Sequence, residues 1–249
     1  MSVVLCLDNY DLAEFTAFAA QFGQKSFDFA VTPNVDHLIR YHDDASFREL
    51  YTHAGHVLLD SRFLACILRA TKGVSARVCP GSDLTAALLG LTAPEDRIVL
   101  IGANEDQARR LRTRFDLRHL MHYDPPMGFI RDAEAVENCL QFVEAQSPFR
   151  FCFLAVGSPQ QELLGRELKR RGRARGLGLC VGASINFLTG IERRAPLWMQ
   201  RIGFEWLFRL LQDPGRLANR YLVRGPRIFF LWPKIHFDLR RSRSLDGEI

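Results

Sequence analysis

Four short stretches carry residues whose types and spacing suit chemistry on an anionic substrate. The first is Val156-Gly157-Ser158-Pro159-Gln160-Gln161-Glu162, directly after the apolar run Phe151 to Ala155. That run reads as a strand buried on both faces. Gly157 breaks it, Ser158 suits a helix N-cap, and Pro159 suits the first helical position. Glu162 stands four places after Ser158, one off a strict capping box. Backbone N–H groups at such a helix start attract phosphates, and Gln160 and Gln161 add neutral donors and acceptors. The same segment also fits an ordinary strand-to-helix turn. The second stretch, Thr32-Pro33-Asn34, closes the apolar run 27–31 and opens a helix. The third, Leu58-Leu59-Asp60, ends a run in a carboxylate. A lone Asp there is either a cap or a working residue beyond the carboxyl end of a strand. Arg77, in the loop that follows, is placed to reach back toward Asp60 or a phosphate. The fourth, Gly102-Ala103-Asn104, follows the buried run 97–101; it lacks the full GxGxxG and so carries no dinucleotide fingerprint.

The elements that would hold these stretches alternate along the chain. Short apolar runs at 2–7, 27–31, 56–60, 97–101, 151–156 and 177–182 read as strands. Between them, helical patterns cover about 11–22, a segment from Val35, 63–68, a segment ending at Leu89, 105–114 and 132–145. The expectation is an α/β, Rossmann-like, mostly parallel sheet flanked by helices, running through about Gly190. Residues 118–128 read as a loop. Its His119 and His122 make no recognisable metal pattern, so they are taken as non-ligands.

Composition bounds the rest. The chain has 249 residues, 47% of them apolar, enough for one large domain or a domain with an appendage. Its six cysteines form no CxxC pair, which suits a reducing cytoplasm. No signal peptide is apparent, and no uninterrupted apolar run approaches the ~18 residues a membrane span needs. The net charge of +5 is uneven: from Arg193 onward there are 12 basic and 5 acidic residues. Residues 191–249 are therefore read as a basic, aromatic appendage. Arg209, Arg216 and Arg220 recur there at near-helical spacing, although Asp213-Pro214-Gly215 interrupts any single helix. Ile228 to Pro233 is an apolar, aromatic patch flanked by Arg224, Arg227 and Lys234. It suits a membrane interface or a helix packed on the core. Basic, aromatic character fits an anionic membrane surface, a diphosphate or nucleic acid, and no nucleic-acid-binding module is recognisable.

Three of these stretches, together with Arg194-Ala195-Pro196-Leu197-Trp198-Met199-Gln200-Arg201-Ile202-Gly203-Phe204-Glu205-Trp206-Leu207-Phe208-Arg209-Leu210-Leu211-Gln212-Asp213-Pro214, resemble glycosyltransferase family 26, the WecG/TagA/CpsF group. They are Thr32-Pro33-Asn34, Leu58-Leu59-Asp60 and the segment from Val156 to Glu162. The resemblance implies an inverting enzyme without an essential metal or cofactor. It would move a sugar from a nucleotide donor, taken as UDP-linked, to a polyprenyl-diphosphate-linked acceptor on the inner face of the bacterial membrane, in surface-polysaccharide or teichoic-acid-type synthesis. Asp60 matches the carboxylate proposed as general base. Thr32, Asn34, Arg77 and Gln161 match pocket positions, with Gly102, Asn104, Gly157, Ser158 and Gln160 beside them as substrate-binding candidates. Arg209, Arg216 and Arg220 are candidates for gripping a diphosphate. Where the family often has Gly after the aspartate, this chain has Ser61-Arg62. A non-catalytic nucleotide-sugar-binding protein and a basic nucleic-acid binder are the rival readings.

Overall fold

The computed structural model describes residues 2–240. Its strands are β1 (Val3–Asp8), β2 (Asp28–Val31), β3 (His56–Val57), β4 (Arg97–Ile101), β5 (His119–Tyr123), β6 (Phe151–Leu154), β7 (Leu177–Cys180) and β8 (Ile235–Arg240). Six of them form one sheet in the order β3-β2-β7-β6-β4-β5, and every pairing is parallel. A parallel sheet must be covered on both faces, and β6 shows how the sequence meets that demand. Phe151 and Phe153 join the apolar cluster on one face, while Cys152 and Leu154 join the cluster on the other. Helices Leu12–Phe22, Gly81–Gly90 and Glu105–Phe115 cover the first face through Phe15, Leu88 and Leu111. Helices Val35–Asp43, Ala45–His53, Ala133–Ala145 and Gln160–Arg171 cover the second through Leu38, Phe47, Leu140 and Leu164. The architecture is α/β and Rossmann-like, as the alternating pattern implied.

Two local expectations are corrected. Residues 119–123, read as a loop, form the edge strand β5, paired to β4 from Arg97↔His119 to Ile101↔Tyr123. An edge strand needs only part of one face buried, so its polar residues hid it. The N-terminal strand is outside the main sheet. It pairs in parallel with β8, from Val3↔Ile235 to Asp8↔Arg240. Asp8 fastens β1 to the sheet, its Oδ2 accepting the Val57 N–H at 2.8 Å. After Gly190 the chain returns to the core. Ile228, Leu231, Trp232 and Ile235 lie in the same apolar cluster as β2 and helix Gln160–Arg171. Trp232 is buried and donates from Nε1 to Thr71 Oγ1 at 2.7 Å, whereas its neighbours Phe229 and Phe230 are exposed. The part of the basic tail beyond Arg240 lies outside the described residues.

Candidate functional site

The carboxyl ends of the sheet strands open on one edge. The connections β4→β5 and β6→β7 leave in opposite directions, so β4 and β6 flank a topological switch point, where open α/β sheets place their ligands. Four of the sequence-predicted stretches follow β2, β3, β4 and β6 and so reach this edge.

Asp60 follows β3, with its backbone N–H donated to the Pro33 carbonyl at 3.3 Å. Its Oδ1 accepts the Gly81 N–H at 2.7 Å. The close approach requires glycine: a Cβ on residue 81 would stand 2.9 Å from Thr32 Oγ1 and 3.5 Å from Asp60 Oδ1. Thr32, Asp60 and Gly81 are thus packed together. Burial raises the Asp60 pKa to about 6, against the lowering effect of the Gly81 N–H. Glu205 raises it further, and Arg209 and Arg194 lower it. A carboxylate poised there can take a proton near neutral pH.

Asn34 caps helix Val35–Asp43, its Oδ1 accepting from the Asp36 N–H at 3.1 Å and the His37 N–H at 3.4 Å. The same oxygen accepts from Arg220 Nη2 at 3.3 Å, joining the tail to the β2 end. His37 completes the cap by accepting the Asn34 N–H on Nδ1 at 3.2 Å. Burial, with Arg220 adding to it, pushes the His37 pKa down to about 3, so the ring stays neutral and can accept. Its Nε2 faces the buried Glu162 at 3.8 Å. His37 carries no motif assignment in the sequence; the Asn-x-x-His spacing, with His at the third helical position, is its one local signal.

At β6 the structure departs from the expected cap. Helix Gln160–Arg171 starts with Pro159 at the N-cap and no side-chain cap. Ser158 Oγ instead accepts from Arg40 Nη1 at 3.4 Å, and Gln160 folds back over the Gly157–Pro159 turn. Gln161 is buried with both ends of its amide engaged. Oε1 accepts the Gly182 N–H at 2.9 Å and Nε2 donates to Glu162 Oε1 at 3.1 Å. Its observed contacts brace the β6 turn against the β7 turn. Arg77 does not reach Asp60. Its guanidinium pairs with Glu14 and lies 3.7 Å from Asp11, exposed at the surface.

At β4, Gly102 adopts φ +86° and packs against the Ala155 backbone, where a Cβ would come within 3.0 Å. Ala103 also has positive φ, +65°, at a cost of roughly 1 kcal/mol. His122 on β5 steadies this turn, with Nε2 at 3.2 Å from the Gly102 carbonyl and 3.1 Å from that of Ala103. Asn104 caps helix Glu105–Phe115 in a reciprocal pair with Gln107. Gln107 then donates to Asn186 Oδ1 at 2.9 Å, and Asn186 donates to Glu192 Oε1 at 3.0 Å. That chain leads to a cavity of about 460 Å³ lined by Asn186, Glu192, Arg209, Asp213 and Arg216 among others.

Two of the three tail arginines meet in this cavity. Helix Glu205–Gln212 carries Arg209, and helix Pro214–Ala218 carries Arg216. Arg209 lies over the Phe187 ring at 5.2 Å and donates from Nη2 to Glu192 Oε2 at 3.4 Å. Arg216 donates to Glu192 Oε1 at 3.1 Å and to Asp213 Oδ2 at 2.6 Å. Arg220 sits apart, on Asn34. Arg194, quoted in the tail motif without a role, pairs with Asp83, which also lies 3.5 Å from Arg62. The site therefore combines a carboxylate of raised pKa with two guanidinium groups held by Glu192 and Asp213, a base on one side and donors for an anion on the other. The family model described as "Glycosyl transferase WecG/TagA/CpsF family" matches residues 3–242 of this chain.

Proposed function

The chain belongs to the WecG/TagA/CpsF family of glycosyl transferases, and from its site we propose a reaction for it. A sugar moves with inversion from a UDP-linked donor to a polyprenyl-diphosphate-linked acceptor, in the synthesis of a cell-surface glycan. The observation that carries this reading is Asp60, with its pKa raised to about 6 and Arg209 close enough to act on it. Oδ1 is fixed by Gly81, leaving Oδ2 to take the proton from the acceptor hydroxyl. The acceptor oxygen then bonds to the anomeric carbon as the bond to the donor phosphate breaks. Inversion follows from attack on the face opposite the leaving group. The departing diphosphate gains negative charge, which Arg209 and Arg216 offset, while Arg220 on Asn34 adds positive charge at the β2 end.

The tail also supports contact with an anionic membrane surface. Among the described residues no helix is long and apolar enough to cross a membrane. Of the thirteen exposed large apolar side chains among the described residues, ten fall between Ile191 and Phe230, including Trp198, Leu222, Val223, Phe229 and Phe230. Exposed Arg201, Arg224 and Lys234 accompany them. Each basic residue near an anionic leaflet contributes roughly 1 kcal/mol. Replacing Phe229 and Phe230 by Glu should lower co-sedimentation with phosphatidylglycerol vesicles and leave the circular dichroism spectrum unchanged. Vesicle binding equal to wild type would place the contact elsewhere.

The decisive assay offers a panel of radiolabelled UDP-sugars with bacterial membrane lipid extract, with and without excess EDTA. Label should enter the lipid fraction for one donor, with the opposite anomeric configuration, at the same rate in EDTA. Binding of UDP-sugar with no transfer would favour a non-catalytic binding protein. Rescue of an EDTA-inhibited reaction by Mg²⁺ or Mn²⁺ would refute arginine as the sole counter-charge.

A further inference from the structure

Glu192 is not needed to remove a proton, and it lies where the proposed leaving group would bind. Its carboxylate accepts from Arg209 Nη2, Arg216 Nη2 and Asn186 Nδ2, at 3.4, 3.1 and 3.0 Å. Two guanidinium groups and a side-chain amide converging on one carboxylate make an anion seat. Its position is telling, since Glu192 follows directly on the loop from helix Ser184–Leu188 and its side chain is 20% exposed. That partial exposure gives the side chain a route toward solvent.

The seat is better matched to two oxygens on one phosphorus than to Glu192. The Nε–Nη2 edge of arginine is a fork for bidentate oxyanions. On Arg209 the carboxylate engages only Nη2, and Nε is buried without a hydrogen-bond partner among the described residues. A buried N–H of this kind is rare in native proteins, and here it leaves one edge of the Arg209 fork free beside the seat. The charge balance agrees. Arg209 and Arg216 are opposed by Glu192 and Asp213, so the seat offers a diphosphate no net attraction until Glu192 swings out and leaves it a positive charge.

We propose that Glu192 is a resident anion of the phosphate seat, displaced by the diphosphate of the nucleotide donor and returning as the nucleoside diphosphate leaves. It thereby sets the affinity for donor and product. The inference rests on the assignment of this cavity to the donor diphosphate. Because part of the population has its seat filled by Glu192, observed affinity is lower than intrinsic affinity by the open fraction.

Titration calorimetry on the full chain with UDP tests this, using inorganic pyrophosphate and uridine as companion probes. Glu192→Gln keeps the size and the hydrogen bond to Asn186 but loses the charge. It should bind UDP and pyrophosphate at least about tenfold more tightly, with uridine unaffected, because the relieved repulsion acts only on phosphate. The donor KM should fall in parallel. A residue with a merely structural role would weaken binding when replaced. Glu192→Ala, with folding checked by circular dichroism, should tighten UDP binding in the same direction. Unchanged or weaker UDP binding in both variants would overturn the proposal. Arg216→Ala separates the two layers: if it leaves UDP affinity unchanged, the cavity does not hold the diphosphate at all.

Discussion

Asp60→Asn is expected to lower kcat by about 10²–10⁴-fold, the usual loss when a general base is removed. The protein should stay folded. Asn keeps the Oδ1 that accepts the Gly81 N–H, and it fits beside Thr32. The pH dependence gives a second reading of the same residue. Burial holds the wild-type carboxyl at about 6, so kcat/KM should rise with pH through that value as the base ionises. In Asp60→Asn that limb should vanish. Stability should move in the other direction. An acid whose pKa is raised on folding favours the folded state while it is protonated. That contribution is lost as pH climbs from its ordinary value of 3.8 to about 6. Above that window the ionised, partly buried carboxylate is a liability on the order of 3 kcal/mol before screening by water reduces it. Asp60→Asn carries no such charge and should unfold at an equal or higher temperature near neutral pH. Thermal denaturation at two pH values and a pH–rate profile check both halves. Near-wild-type turnover in the Asn variant would show that another group takes the proton.

Arg209→Ala should cost about 10²–10³-fold in kcat, the scale for removing one preorganised donor from developing charge. Arg209 is the residue that links the two halves of the site. Its charge acts on Asp60 and its guanidinium lines the phosphate seat. Two effects should therefore appear together. UDP affinity should fall, and the acidic limb of the pH–rate profile should shift to higher pH, because Arg209 is one of the groups lowering the Asp60 pKa. Arg209→Lys should recover little, since an ammonium has no fork and cannot lie flat on Phe187 in the same way. Steady-state kinetics across pH, with calorimetric UDP binding, measure both. Turnover and limb both within error of wild type would separate Arg209 from the leaving group.

Much of this protein is legible in its residues alone, wherever local physics decides. Short, continuous apolar runs such as Phe151 to Leu154, alternating with helical patterns, read as strands covered on both faces, and a parallel α/β sheet fits them. Asn34 and Asn104 are recognisable as helix starts because an N-cap needs only its own next three residues. The tail arginines stand out because their charge is concentrated after Arg193. Tertiary structure decided what these residues do to one another. The β5 edge strand was hidden because a strand needed on only one side tolerates polar residues. Arg77 lies close to Asp60 in the reading of the chain but pairs with Glu14, since a long side chain goes to the nearest carboxylate in space. Gln161 and Ser158 have a donor set suited to a ligand, yet their observed partners are Gly182, Glu162 and Arg40. Most of all, Glu192 carries no motif and no periodicity. Its meaning arises only when the fold brings Asn186, Arg209 and Arg216 around its carboxylate. Charge complementarity across distant segments is a property of three-dimensional proximity, and no local pattern encodes it.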